Sequence, residues 1–145
     1  NHAGPRQSPV FVASDFGRQF ALSAAGKAEP VVHAGNLDPQ RDFTDVRDVV
    51  RAYWAILAHP GEHVIFNVSS GHVYAIRELI EIYERVTGIT VTITSEQVRA
   101  RAHDVLYAAG SHARLLAATG WSPAIPLHQT LSDVFAYWQS EIAAS

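Results

Sequence analysis

The chain has 145 residues, 48% of them hydrophobic and 17% charged, with a net charge of -3. That is enough for one domain with a buried core, too apolar for disorder, and it lacks the long apolar run of a membrane helix and the basic block of a nucleic-acid groove. The absence of cysteine excludes disulfides, thiolate metal sites and cysteine nucleophiles together.

In chain order, Ser8-Pro9 reads as an N-cap and first helical residue. A helix is expected over 9–25, with Val12, Phe16, Phe20 and Ser23 on one face and Gly26 as its stop. Residues 30–34 form a short strand candidate ended by Gly35-Asn36, and 41–45 form a second extended stretch. Asp45 with Asp48 three residues on resembles a capping box, opening a helix that runs to about Ala58 before His59-Pro60-Gly61 breaks it. Residues 64–68 are a mostly apolar run of strand length, the pattern of a strand covered on both faces. Val73, Ile76, Leu79, Ile80, Tyr83 and Val86 mark a helical face that Gly88 ends, with Arg77/Glu81 and Glu81/Arg85 pairs on the other side.

Residues 89–94 alternate strictly and predict a half-buried strand. A polar loop with Arg99, Arg101, His103 and Asp104 follows, then an apolar run over 105–109. Ser111 caps a helix to about Thr119, closed by Gly120, and Leu127, Leu131, Val134, Phe135, Trp138 and Ile142 mark the last helix. Strands and helices alternate without repeats or linkers, so an α/β layer structure in one unit is expected.

Several chemistries are missing from the pattern. The nine glycines are never closer than nine residues apart, so neither a dinucleotide-binding glycine loop, a P-loop nor a Gly-x-Ser-x-Gly elbow can be written. A Tyr-x-x-x-Lys pair would have to end at Lys27, the single lysine, but Ser23 occupies the tyrosine position. His59 and His63 are separated by Pro60-Gly61, which prevents one helical face from presenting both, and surface histidines are the better reading than a metal site. Polar groups instead gather at strand-to-loop junctions: Asn1, Gly35-Asn36-Leu37, Arg41-Asp42 and Arg101 with Asp104. Arginine offers a planar fork matched to diphosphate oxygens, and a carboxylate accepts from ribose or base. On spacing alone, surface salt bridges within Arg41-Asp42 and Arg101/Asp104 are the better reading.

These pieces together resemble the C-terminal part of the extended short-chain dehydrogenase/reductase family, in its NAD-dependent epimerase/dehydratase branch. The nearest likeness is to GDP-4-keto-6-deoxy-mannose reductases and their relatives the GDP-mannose 4,6-dehydratases. The resemblance rests on residues 1–7 (NHAGPRQ), 11–19 (FVASDFGRQ), 35–37 (GNL), 41–48 (RDFTDVRD), 66–71 (FNVSSG) and 118–121 (ATGW), in the family's order over almost the whole chain. It implies the last strands of a Rossmann-like sheet plus the small substrate-binding α/β subdomain over residues 1–145, with the cofactor-binding Rossmann part and the Ser/Tyr/Lys set in an N-terminal half not present here. The absence of methionine is explained either by removal of the initiator or by a true beginning elsewhere.

By position, the resemblance assigns substrate binding to Asn1, Asn36, Leu37, Arg41, Arg101 and Asp104, and reverses the preference for salt bridges at Arg41 and Arg101. Asp45 and Arg47 remain helix-start residues. The late motif Arg101-Ala102-His103-Asp104 lacks the family's proline, and Ser111 stands where an Asp often follows Gly110. At Asp15 the dehydratase branch tends to carry lysine and the reductase branch aspartate, which favours reductase.

The implied activity is reduction of the 4-keto group of a GDP-6-deoxy-hexose, with a dehydratase or nucleotide-sugar epimerase as the alternative and a non-catalytic nucleotide-sugar-binding module as the alternative of another class. NAD(P)H is implied for the complete enzyme only; the 145 residues alone are expected to bind no cofactor and to be inactive. The expected setting is cytoplasmic, with the missing half and a nucleotide sugar as partners, self-association through exposed sheet edges, and neither nucleic acid nor membrane.

Overall fold

The computed structural model describes residues 1–59, 61, 65–95 and 105–144. Its elements run β1 (His2–Ala3), α1 (Val12–Ala24), β2 (Val31–Ala34), β3 (Gln40–Asp42), β4 (Thr44–Asp45), α2 (Val46–Leu57), β5 (Val73–Ala75), α3 (Ile76–Thr87), β6 (Thr92–Ser95), β7 (Tyr107–Ala108), α4 (Ala113–Thr119) and α5 (Leu127–Ala144). The strands pair as three small sheets: β1 with β4, β2 with β6, and β3 between β5 and β7. All pairings are parallel except β3–β5.

The main core forms where α1, α3 and α5 pack on one another. Ala13, Phe16, Gly17, Phe20 and Ala21 recur at helical spacing on the buried side of α1. Phe20 stacks on Tyr83 of α3 with ring centroids 5.3 Å apart, and Leu131 and Val134 of α5 close the cluster. Gly17 is required at that crossing, because a Cβ there would lie 2.7 Å from both the Tyr83 hydroxyl and Val134 Cγ1. Gly88 ends α3 in the left-handed region at φ 73°, which glycine adopts without a Cβ clash. A smaller cluster of Ala52, Leu115 and Trp121 lies beneath α2 and α4.

Four expectations change. α1 starts at Val12 rather than at 9, because the Ser8 carbonyl accepts from Phe11 N–H at 3.1 Å and Pro9 sits in that turn. Val73 belongs to β5 and not to the α3 face. Among the described residues, 65–68 form no strand and pair with none, and Ile65 is 84% exposed. The alternating 89–94 segment does yield β6, displaced to 92–95, but every residue of that strand is exposed; Ile89 and Val91 just before it meet the core instead.

Candidate functional site

A cleft of about 660 Å³ opens between the N-terminus of α1, the segment after β1, the loop following β2, and β3. Asn1, Asn36 and Arg41 all line it, although 40 positions separate the first from the last. The parallel β1–β4 pairing sets His2 opposite Thr44 and makes this convergence possible.

Asn1 is held at the rim by its backbone carbonyl, which accepts from Thr44 N–H at 2.9 Å, and its amide Nδ2 donates to the Asp42 carbonyl at 3.4 Å. Behind it, Gln7 Nε2 donates to the His2 carbonyl at 2.8 Å. Ser14 Oγ donates to the Gln7 carbonyl at 2.6 Å, and Trp138 Nε1 donates to Ser14 Oγ at 3.0 Å. This chain of bonds ties the cleft wall to α5.

Asn36 Oδ1 accepts from Asp38 N–H at 3.1 Å, closing a tight turn at the end of β2. Leu37 turns away: its side chain is 8% exposed and belongs to the main core, while its carbonyl accepts from Arg77 N–H at 3.1 Å. Leu37 thus shapes the loop rather than lining the cleft. Arg101 and Asp104 lie outside the described residues.

Arg41 lines the cleft from the middle of β3, with Nη1 donating to the Gln40 carbonyl at 2.9 Å. Its neighbour Asp42 does not pair with it. Strand alternation sends the two side chains to opposite faces, and Asp42 is buried, accepting from Ser70 N–H at 2.8 Å, Ser70 Oγ at 2.7 Å and Gly71 N–H at 2.9 Å. The Arg41-Asp42 salt bridge that spacing favoured is therefore not formed.

The other two aspartates of the 41–48 segment are likewise turned inward. Asp45 caps α2 through Arg47 N–H at 2.8 Å and accepts from Thr130 Oγ1 at 2.7 Å. Burial pushes its carboxyl up, but hydrogen bonds from Arg47 and Thr130 outweigh this and hold it below the ordinary 3.8. The hydrogen bond to Asp45 in turn raises the Arg47 guanidinium, which also reaches Asp133 at 2.7 Å. Asp48 does not complete a capping box with its carboxylate as expected. Its Oδ2 accepts from Ala124 and Ile125 N–H, each at 2.9 Å, and its Oδ1 from Arg51. The segment's acids bind the chain to itself and leave Arg41 as its cleft-facing charge.

Sequence reasoning missed part of the lining. Pro9, Val10, Phe11 and Val12 bring the start of α1 into the cleft, and no side chain caps that helix. Its first N–H groups therefore have no side-chain acceptor, while Asp15 sets a carboxylate in the same first turn. Val10 and Phe11 stay 77% and 56% exposed in front of that helix, which the sequence pattern does not signal. Asp15 and His33 also line the cleft. Lys27, the single lysine, does not: Nζ donates to the Ile142 carbonyl at 2.8 Å near the end of α5.

No closely spaced glycines are present, and the N-termini of α2 and α3 are occupied by the Asp45 and Glu78 carboxylates. Among the described residues no cluster of three metal-ligating side chains occurs, and no helix is long and apolar enough to cross a membrane.

The structure of RMD from Pseudomonas aeruginosa complexed with NADPH superposes with a TM-score of 0.91 at 37% identity, covering 97% of this chain and 46% of that one. A UDP-glucose 4-epimerase from Thermotoga maritima with UDP-glucose shares the fold, with a TM-score of 0.83 at 23% identity over 98% of this chain and 44% of that one. The chain is thus a mixed α/β protein of the extended short-chain dehydrogenase/reductase class, corresponding to somewhat under half of such structures.

In sequence it is 37% identical over 142 residues to the GDP-6-deoxy-D-mannose reductase of Pseudomonas aeruginosa, covering 98% of this chain and 47% of that one. It is 32% identical over 106 residues to the GDP-mannose 4,6-dehydratase of Sinorhizobium fredii, covering 72% of this chain and 29% of that one. The model of the GDP-mannose 4,6 dehydratase family matches residues 1–134. The chain belongs to that family, within the NAD-dependent epimerases and dehydratases, and spans less than half the length of these relatives.

Proposed function

We propose that the chain is the nucleotide-sugar-binding part of an NAD(P)-dependent oxidoreductase that reduces the 4-keto group of a GDP-6-deoxy-hexose. The observation that carries this reading is the convergence of Asn1, Asn36 and Arg41 on one cleft beside the uncapped start of α1. Arg41 offers its guanidinium to the diphosphate oxygens, and the α1 N–H groups add a second set of donors to the same anion. Asn1, fixed by Thr44 and Asp42, orients the sugar end through its amide. Remote binding of this kind holds a keto-sugar in register for hydride transfer, so affinity at the diphosphate is converted into positioning at the reacting carbon.

Asp15 on the cleft wall supports reductase over dehydratase, since the dehydratase branch tends to carry lysine there. Leu37, Arg101 and Asp104 join the proposal through the resemblance, Leu37 as a loop-shaping residue. In this reading the hydride, the cofactor and the proton donor belong to residues outside this chain, so the 145 residues alone turn over no NAD(P)H, and the whole enzyme works in the cytoplasm.

The test is titration of the chain with a GDP-linked hexose by calorimetry. Arg41→Ala weakens binding by about tenfold or more, the scale of a lost charge-assisted bidentate contact. Arg77→Ala, on the exposed side of α3 with a distant 3.9 Å partner in Asp38, leaves it unchanged. Equal affinities in the two variants would remove Arg41 from the site.

A further inference from the structure

Behind one wall of the cleft lies a second groove of about 380 Å³, with Asp15, Gln19, Glu29 and His33 in its lining. Asp15 and His33 line both cavities and so form the partition between them, whereas Gln19 lines the groove and not the cleft. Gln19 stands four residues after Asp15 on α1, the spacing at which two side chains meet on one helix face. Its Nε2 donates to Asp15 Oδ2 at 3.1 Å and to the His33 carbonyl at 3.1 Å, while its Oε1 accepts from His33 N–H at 2.8 Å. A carboxylate and a carbonyl only accept and an N–H only donates, so these partners fix which way the amide faces.

The register of β2 explains why His33 offers both backbone groups to a side chain. In a parallel ladder, alternate residues turn N–H and C=O to the same neighbour. Thr92 N–H donates to the Pro30 carbonyl and Val31 lies opposite Thr92, so Val32 and Ala34 face β6 while His33 faces away from it. On that outer edge the Gln19 amide makes the pair of bonds that one residue of a third strand would make. A two-stranded ladder is marginal by itself, and every residue of β6 is exposed. α1 is the firmly seated element here, with Phe16 and Phe20 fully packed in the main core. It holds the end of β2 through Gln19, and the Asn36 turn begins just beyond that end.

We propose that Gln19 is a positioning residue of the cleft: its amide fastens His33 to α1 from behind and so sets where Asn36 meets the bound molecule. Gln19 lies outside the cleft and acts through His33. That the molecule is a nucleotide sugar rests on the function proposed above; the clamp rests on the three hydrogen bonds and the ladder register. α5 carries a matched pair that holds no strand, since Gln129 Nε2 donates to Asp133 Oδ1 at 2.8 Å across the same four-residue step.

The test compares Gln19→Leu, which keeps most of the side chain's bulk and removes all three bonds, with Gln129→Leu in the ¹⁵N-labelled chain. Without ligand, Gln19→Leu raises hydrogen exchange at the His33 amide about fivefold or more and shifts the Asn36 and Leu37 amides, and Gln129→Leu does neither. Calorimetric titration with GDP-mannose then gives about five- to tenfold weaker binding in Gln19→Leu. That loss disappears when Asn36 is already alanine and persists when Arg41 is alanine, a split that a general loss of stability would not produce. Circular dichroism reports whether each variant is folded. Should Gln19→Leu unfold, Gln19→Glu carries the same expectation, since it keeps an acceptor for His33 N–H but offers no donor to the His33 carbonyl or to Asp15. Unchanged exchange at His33, or a binding loss equal in the Asn36→Ala and Arg41→Ala backgrounds, overturns the proposal. If the unaltered chain binds no GDP-mannose, the nucleotide-sugar reading fails and the ligand-free arm decides the clamp: shifts at Asn36 and Leu37 support it, and their absence overturns it.

Discussion

Asp48→Ala is the sharpest probe of how the 41–48 segment holds the fold together. The Asp48 side chain has no exposed surface, and its Oδ2 is the acceptor for the consecutive N–H groups of Ala124 and Ile125, which lead into α5. Its Oδ1 faces the Arg51 guanidinium, whose side chain is 51% exposed. Truncation strands two partly buried donors and leaves a cavity of carboxylate size. Each lost bond to an ionised acceptor costs about 1–2 kcal/mol here, because water can reach the freed groups, and the half-exposed ion pair adds at most about 1 kcal/mol. The expected loss is about 3 kcal/mol, a large share of the roughly 5–15 kcal/mol available to a domain. Asp48→Asn keeps an acceptor for both N–H groups and should lose about half as much. Urea denaturation followed by far-ultraviolet circular dichroism reads both, with Asp38→Ala as the reference, since Asp38 is 81% exposed and its ion pair is 3.9 Å long. An Asp48→Ala midpoint indistinguishable from that of Asp38→Ala would refute the reasoning.

Other expectations follow from the packing and the titrating groups. Gly17→Ala puts a Cβ 2.7 Å from Tyr83 Oη and Val134 Cγ1, so it should cost about 1–3 kcal/mol by the same denaturation assay, despite alanine's better helix propensity. Asp45 is held below its ordinary value, so its contribution is complete above about pH 4 and is lost as pH falls through the lowered value. Asp45→Asn should therefore flatten the acid side of a stability–pH profile. Burial pushes the Tyr83 hydroxyl above its ordinary 10, so the unfolded chain ionises first and stability falls as pH rises beyond that value. Tyr83→Phe should flatten that alkaline limb and cost about 1 kcal/mol at neutral pH through loss of the 2.7 Å bond to the Ala13 carbonyl.

Helices with a one-sided apolar stripe and a glycine stop were legible in the sequence. α3 ends at Gly88, α4 at Gly120, and α5 carries its predicted apolar positions. What local pattern could not supply was the partner of each strand. The run at 64–68 has the composition of a strand, but a strand needs a neighbour, and none lies beside 65–68 among the described residues. β6 alternates as a half-buried strand should, yet among the described residues it pairs only with β2, and every residue of the strand is exposed. At α1 the local signal misled, because Ser8-Pro9 serves equally as a cap and as a turn, and here the Ser8 carbonyl closes the turn.

The site shows the same division. Arg41 was recognisable as a candidate, but only the alternation of β3 and the commitment of Asp42 to Ser70 and Gly71 separate it from its neighbour. Leu37 shared the Gly35-Asn36-Leu37 signal and yet packs inward, since a tight turn at Asn36 sends successive side chains in different directions. The contribution of the α1 terminus depends on a fold that brings residues 9–13 against Asn1 and Arg41, which spacing along the chain does not encode.

The central claim, that the Asn1–Asn36–Arg41 cleft binds a nucleotide sugar, is tested most directly by mapping backbone amide chemical-shift changes in the ¹⁵N-labelled chain during titration with a GDP-linked hexose. The account predicts saturable shifts concentrated at Asn36 and Arg41, over residues 10–15 and at His33, with α2 silent. Shifts confined to α2, or none at ligand concentrations that saturate a whole reductase of the family, would contradict it.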